Sequence, residues 1–185
     1  MRMPLFPGKK RIVGLDVGSK LTKAVEMEHM KDGYLVTNLA IAATPEGSIL
    51  EGEITNREEV IASVKSLLKS YGIKTKDVVT AVAGKDVIIK KIPVDRMEPV
   101  ELREVIRWEA AQHIPFEIDD VVLDFHILGT PKDGNQMDVL LVAAKKEKVE
   151  ERISLICDCG LNPVVVDVDS LALTNAFGYN YTNEL

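Results

Sequence analysis

Apolar and polar positions follow two different periods along this chain. Arg11–Val17 is a short apolar run closing on Asp16, and Leu21–Glu28 follows a tight Gly18-Ser19 turn, which predicts two strands in a hairpin. Tyr34–Ala43, entered through the turn signal Asp32-Gly33, is a third predicted strand rich in β-branched and apolar residues. Thr44–Ile54, with Pro45, Gly47 and Gly52, reads as a connecting loop. The period then becomes helical: Val60, Ile61, Val64, Leu67, Leu68 and Tyr71 form one apolar stripe. Asn56 with Glu59 makes a capping-box-like start, and Gly72 is placed to end the helix. Val78–Ala83, closed by Gly84, completes a β-β-β-α-β unit.

A second module follows. Asp86–Pro93 reads as a strand, and Pro99 opens a helix where its missing N–H costs little. That helix runs through Leu102, Val105, Ile106 and Trp108 until Pro115 stops it, and Trp108 is expected to be a buried aromatic. Strands Val121–Leu128 and Met137–Ala144 are joined by the polar turn Pro131-Lys132-Asp133-Gly134. A helix over Lys146–Cys159 ends at Gly160, then a very apolar strand, Val164–Val168, precedes a helix over Ser170–Phe177. The run PVVVDV suits the middle of a larger sheet. The predicted organisation is therefore a first unit (9–84), an inserted strand-helix-strand-strand module (85–162), a return to the first unit (163–180) and a tail (181–185).

Composition narrows the classes. Apolar residues make up 46% and charged residues 28% of 185, a globular balance rather than a disordered one. A formal net charge of −6 lacks the basic footprint of a general nucleic-acid binder. No apolar run approaches the roughly 20 residues of a membrane-spanning helix, and MRMPLFPGKK lacks the apolar core of a secretory signal. Two cysteines, Cys157 and Cys159, make no disulfide framework and fit a reducing, cytoplasmic setting. With His29, His113 and His126 scattered, they also lack the four clustered ligands of a zinc site.

The chemistry concentrates in GLDVGSKLTKAVE (Gly14–Glu26). Backbone N–H groups in a concave turn can hold phosphate, and glycine lets the chain come close. Ser19 and Thr22 could add hydroxyls, Lys23 a point charge, and Asp16 a carboxylate for a magnesium-bound water. The pattern is not a Walker A loop, which needs four residues between its glycines. Taken alone, such a turn is more often a plain hairpin tip than a phosphate site.

The same stretch resembles the phosphate-1 loop of the actin-like ATPases, the superfamily of actin, sugar kinases and the cell-division protein FtsA, with Asp16, Gly18, Ser19 and Lys23 at the matching positions. Together with TPEGSILEGEI, AVAGKDVIIKKIPV, RWEAAQHIPFEIDDVVLDF and AAKKEKVEERISLICDCGLNPVVVDVDSLAL, the chain from about Lys9 to about Phe177 is similar to the PilM family, FtsA-like components of the type IV pilus assembly machinery. The resemblance implies an α/β fold: an actin-like (ribonuclease H-like) subdomain 1A with an inserted SHS2-type subdomain 1C. It also implies ATP with magnesium as cofactors, held by Asp16, Gly18, Ser19, Lys20, Thr22 and Lys23, with at most weak hydrolysis. The implied role is a cytoplasmic adaptor. Its implied partners are the N-terminal cytoplasmic peptide of PilN, captured in a groove between 1A and 1C, and other pilus assembly proteins. Membrane attachment would be indirect. An FtsA-like filament former and an active ATPase or kinase are the alternatives.

Lys20 departs from the small residue more usual in the family, and could cap phosphates or point into solvent. The resemblance also implies a second half with a phosphate-2 loop, so these residues are expected to be the first half of a longer protein that binds ATP poorly on its own. By position Asp169, with Asp167 two residues earlier, matches the acid that orients the attacking water; it equally suits an N-cap for the following helix. His113 reads as a helix-end histidine, and Glu117, Asp119 and Asp120 as a solvated loop.

Overall fold

The computed structural model describes residues 11–129 and 134–181, and these form two compact units: 11–81 with 152–181, and 82–129 with 134–151. The elements are β1 (Arg11–Val17), β2 (Leu21–Met30), β3 (Gly33–Ala43), β4 (Ile49–Leu50), β5 (Glu53–Ile54), α1 (Arg57–Ser70), β6 (Asp77–Val82), β7 (Val87–Asp95), α2 (Pro99–Ala111), β8 (Val121–Gly129), β9 (Gln136–Lys145), α3 (Lys146–Asp158), β10 (Asn162–Val168) and α4 (Asp169–Asn180).

In the first unit, five strands lie in the order β10-β6-β1-β2-β3. β1, β2 and β3 form consecutive antiparallel pairs, and β6 runs parallel to β1. Alternation along β1 turns Val13, Leu15 and Val17 onto one face, where Val60, Val64, Leu67 and Leu68 of α1 bury against them. The α1 stripe is the one that the sequence shows. Asn56 accepts the Glu59 N–H at 3.3 Å at its start, and Gly72 (φ +66°) takes the left-handed conformation that closes it. Leu155, Ile156, Cys159 and Leu161 complete the same core. Residues from 152 onward therefore group with the first unit, because their apolar side chains are buried there.

The second unit is a three-stranded antiparallel sheet in the order β7-β9-β8, so chain order is strand, helix, strand, strand. Leu102, Ile106 and Ala110 of α2 pack with Ile92, Val94, Val139 and Leu141.

Three expectations are corrected. The stretch 44–54 holds a small hairpin, β4–β5, whose turn residues Glu51 and Gly52 both take positive φ, as a type I′ hairpin turn requires. β10 ends the sheet rather than standing in its middle, with Val164, Val165 and Val166 half-buried. An apolar run reports cover over a strand's faces, not pairing along both edges. Trp108 is 78% exposed. At 100° per residue it falls 200° from Ile106, off the stripe that Leu102, Ile106 and Ala110 share. The expected turn at Pro131-Lys132-Asp133 and most of the 181–185 tail lie outside the described residues.

Candidate functional site

The turn between β1 and β2 is built from the backbone outward. Gly18 N–H donates to the Leu21 carbonyl at 3.1 Å, which closes a tight turn with Ser19 and Lys20 at its tip. A Cβ on Gly18 would stand 3.1 Å from that same carbonyl oxygen, a tight contact that favours glycine here. Side chains from separate elements hold the carbonyls leading into it. Thr80 of β6 donates to Leu15 at 2.9 Å, Arg152 of α3 reaches Val17 at 3.4 Å, and Thr44 donates to Gly18 at 2.7 Å. Thr44 N–H also donates to the Lys20 carbonyl at 3.0 Å.

Ser19 and Lys20 are exposed, and among the described residues their backbone N–H groups donate to no protein acceptor. Two outward N–H groups, a hydroxyl and an ammonium on a braced turn suit a phosphate. Lys23 sits directly opposite Asp16 across the strands, and Nζ lies 2.9 Å from Oδ2; both side chains are about half-exposed or more. A lone carboxylate suits magnesium held through water, since this ion keeps several of its waters. Among the described residues, no three His, Cys, Asp or Glu side chains cluster as a metal site.

Thr22 is placed differently from the rest. It is fully buried, and its hydroxyl lies 3.0 Å from that of Thr44. Thr44 spends its one proton on Gly18, so Thr22 is the donor of this pair. Thr22 therefore braces the turn from within. Neither Thr44 nor Thr80 has a local sequence signal for this role, because each reaches the turn only through strand pairing.

Asp169 starts α4 and is exposed; its Oδ1 accepts the adjacent Ser170 N–H at 2.6 Å. The helix's N-cap is Val168, with no side-chain cap. Asp167 likewise accepts the Val168 N–H at 2.7 Å. β10 and β6 begin side by side, since Asn162 N–H donates to the Lys76 carbonyl and its side chain to Asp77, each at 2.8 Å. β6 parallels β1, so β1, β6 and β10 all end at one end of the sheet. The Asp16–Lys23 turn and Asp169 thus share the carboxyl end of the sheet, where open α/β sheets bind ligands. β6 lies between them.

The buried acid Glu26 carries no local warning in the sequence. It is 2% exposed, and it accepts hydrogen bonds from Thr75 at 2.6 Å, Thr37 at 2.7 Å and Asn38 at 2.8 Å. Burial pushes its carboxyl up, but the bonds from Thr75, Thr37 and Asn38, aided by the Arg11 charge, outweigh it and hold the group below the ordinary glutamate value. His113 N–H donates to the Ala110 carbonyl just past α2, and Asp119 pairs with Arg107 at 2.6 Å.

Comparison with known proteins places these features in a family. The family described as type IV pilus assembly protein PilM matches residues 14–184. Among solved structures, a chain of the PilM–PilN type IV pilus biogenesis complex is 33% identical, with a TM-score of 0.77 over 89% of this chain. The cytoplasmic domain of EpsL, an inner membrane component of the type II secretion system of Vibrio cholerae, is 16% identical with a TM-score of 0.55 over 88% of this chain, a likeness of fold alone. This chain spans 49% of the former and 59% of the latter.

Proposed function

Since the chain belongs to the type IV pilus assembly protein PilM family, we propose that it is the nucleotide-binding side of a cytoplasmic adaptor that captures the N-terminal cytoplasmic peptide of PilN. On this reading residues 9–84 and 163–180 belong to actin-like subdomain 1A and 85–151 to an SHS2-type subdomain 1C, while 152–162, expected in 1C, pack with the first unit. The observation that supports it best is the braced turn at the carboxyl end of the sheet, in a chain 33% identical to a chain of the PilM–PilN type IV pilus biogenesis complex.

Gly18, Ser19 and Lys20 would face ATP phosphates, Lys23 would add charge, and Asp16 would hold a magnesium-bound water. Thr22 would support the turn. Asp169 would orient a water at the neighbouring strand end. Bound nucleotide would set the conformation in which the peptide is captured. Attachment to the membrane through the partner is the part of this reading that the PilM–PilN relative suggests; among the described residues, no helix is long and apolar enough to cross a membrane.

The test is fluorescence anisotropy of a labelled peptide carrying the PilN cytoplasmic N-terminus, titrated with this protein with and without magnesium ATP. Saturable binding that a scrambled peptide does not reproduce is expected. Absence of saturable binding in both conditions overturns the adaptor reading.

A further inference from the structure

At the opposite end of the first unit's sheet, where β6 and β10 begin, a cavity of about 350 Å³ is lined by Lys65, Lys69, Lys74 and Lys76 around a floor that includes Leu68, Ile73 and Leu161. The floor residues are at most 7% exposed, whereas all four lysines are exposed. Their convergence follows from local geometry. Lys65 and Lys69 are one turn apart on α1 and share a face. Thr75, in the segment before β6, turns inward to Glu26 at 2.6 Å, while its neighbours Lys74 and Lys76 are exposed and line the cavity.

None of the four makes an ion pair among the described residues. The nearby acids are engaged elsewhere: Asp158 with Arg57 at 2.7 Å, Asp77 with Asn162 at 2.8 Å, and Glu26 with Thr75, Thr37, Asn38 and Arg11. The C-terminal ends of α1 and α3 both point here, each worth roughly half a negative charge, and Asp77 keeps its charge because its partner Asn162 is neutral, which leaves about two positive charges uncompensated. In a chain of net charge −6 this is a local reversal of sign.

We infer that this lysine basin is a docking surface for an anionic phospholipid bilayer, which the protein contacts directly as well as through any partner. Four lysines around one shallow cavity match the charge of a lipid headgroup layer, and each adds reversible attraction that salt screens. The apolar floor is buried in the first core, so the attraction offered to the bilayer is that of the exposed lysines around it.

The experiment is co-sedimentation of the full chain with phosphatidylglycerol-rich vesicles, with pure phosphatidylcholine vesicles, and with a soluble polyglutamate competitor. Binding to the anionic vesicles alone is expected, weakening as salt rises. The Lys65→Gln/Lys74→Gln variant should partition roughly fivefold less per lysine removed, while Lys65→Arg/Lys74→Arg retains binding. All four positions are exposed, and unchanged thermal melts would show that the variants are folded. Equal binding to neutral vesicles, no loss in the glutamine variant, or capture of polyglutamate without vesicle binding overturns the inference. PilN-peptide binding by the same glutamine variant should be unchanged, so the two readings fail separately.

Discussion

The hydroxyls of Thr22 and Thr44 lie 3.0 Å apart beneath the turn between β1 and β2, and Thr44 passes its proton on to the Gly18 carbonyl at 2.7 Å. This chain has a direction. Thr22→Val removes one donor and leaves the bond to Gly18 intact, so it should lower unfolding stability by about 1 kcal/mol. Thr44→Val strands both the Thr22 hydroxyl and the Gly18 carbonyl, and should cost roughly 1–3 kcal/mol. Urea unfolding followed by circular dichroism would rank the two; a larger loss in Thr22→Val would contradict the assigned direction.

The Asp16–Lys23 pair is predicted to matter for ligand and hardly at all for folding. Both side chains are too exposed for their 2.9 Å contact to add much. Asp16→Asn should change stability by less than about 1 kcal/mol. If Asp16 holds a magnesium-bound water, the same variant should weaken the magnesium dependence of nucleotide binding, measured calorimetrically on a version of the protein that binds ATP.

Glu26 makes a sharper statement about pH. Its carboxyl titrates below the ordinary glutamate value in the folded protein, so the unfolded chain takes up the proton first as pH falls. The stability it contributes is complete above the unfolded value and is lost as pH drops through the lowered folded one. Melting temperature should therefore fall less steeply with acid in Glu26→Gln than in the parent, from a lower starting point. Parallel acid profiles for the two would show that the buried bonds do not set the titration.

The two cysteines should separate cleanly by reactivity. Cys157 is exposed, whereas Cys159 is buried in the first core. Burial pushes the Cys159 thiol up to about 11, with Asp158 adding to the shift and Lys65 and Arg57 opposing it. Iodoacetamide at mildly alkaline pH should label one thiol per chain in native protein and two after denaturation, read by mass spectrometry.

Much of the architecture followed from short stretches. The α1 stripe, its Asn56 cap and Gly72 stop, the β1–β2 hairpin and the strand-helix-strand-strand order of the second unit all rest on contacts within a few residues or on simple periodicity. The same local reading placed Trp108 on a buried face because the helix pattern was followed without its angular phase. It also set β10 in mid-sheet, since apolar content reports covered faces and not paired edges.

For the candidate site, residue types and spacing placed Gly18 and Ser19 in a turn and Asp16 across from Lys23, because a tight turn and a cross-strand pair are local events, while the phosphate role came from the family resemblance. Tertiary structure decided which of those side chains face outward. Thr22 is turned in because a residue twenty-two positions later waits beneath it, and Thr80 and Arg152 reach the turn from still farther along the chain. The lysine basin has the same origin. Its four cations are close in number along the chain, but the cavity that they share is complete only once residues 159–161 supply part of its floor. Spacing specifies what a segment can present; pairing between distant segments decides what it does present, since burial and hydrogen-bond partners exist only once the sheet has formed.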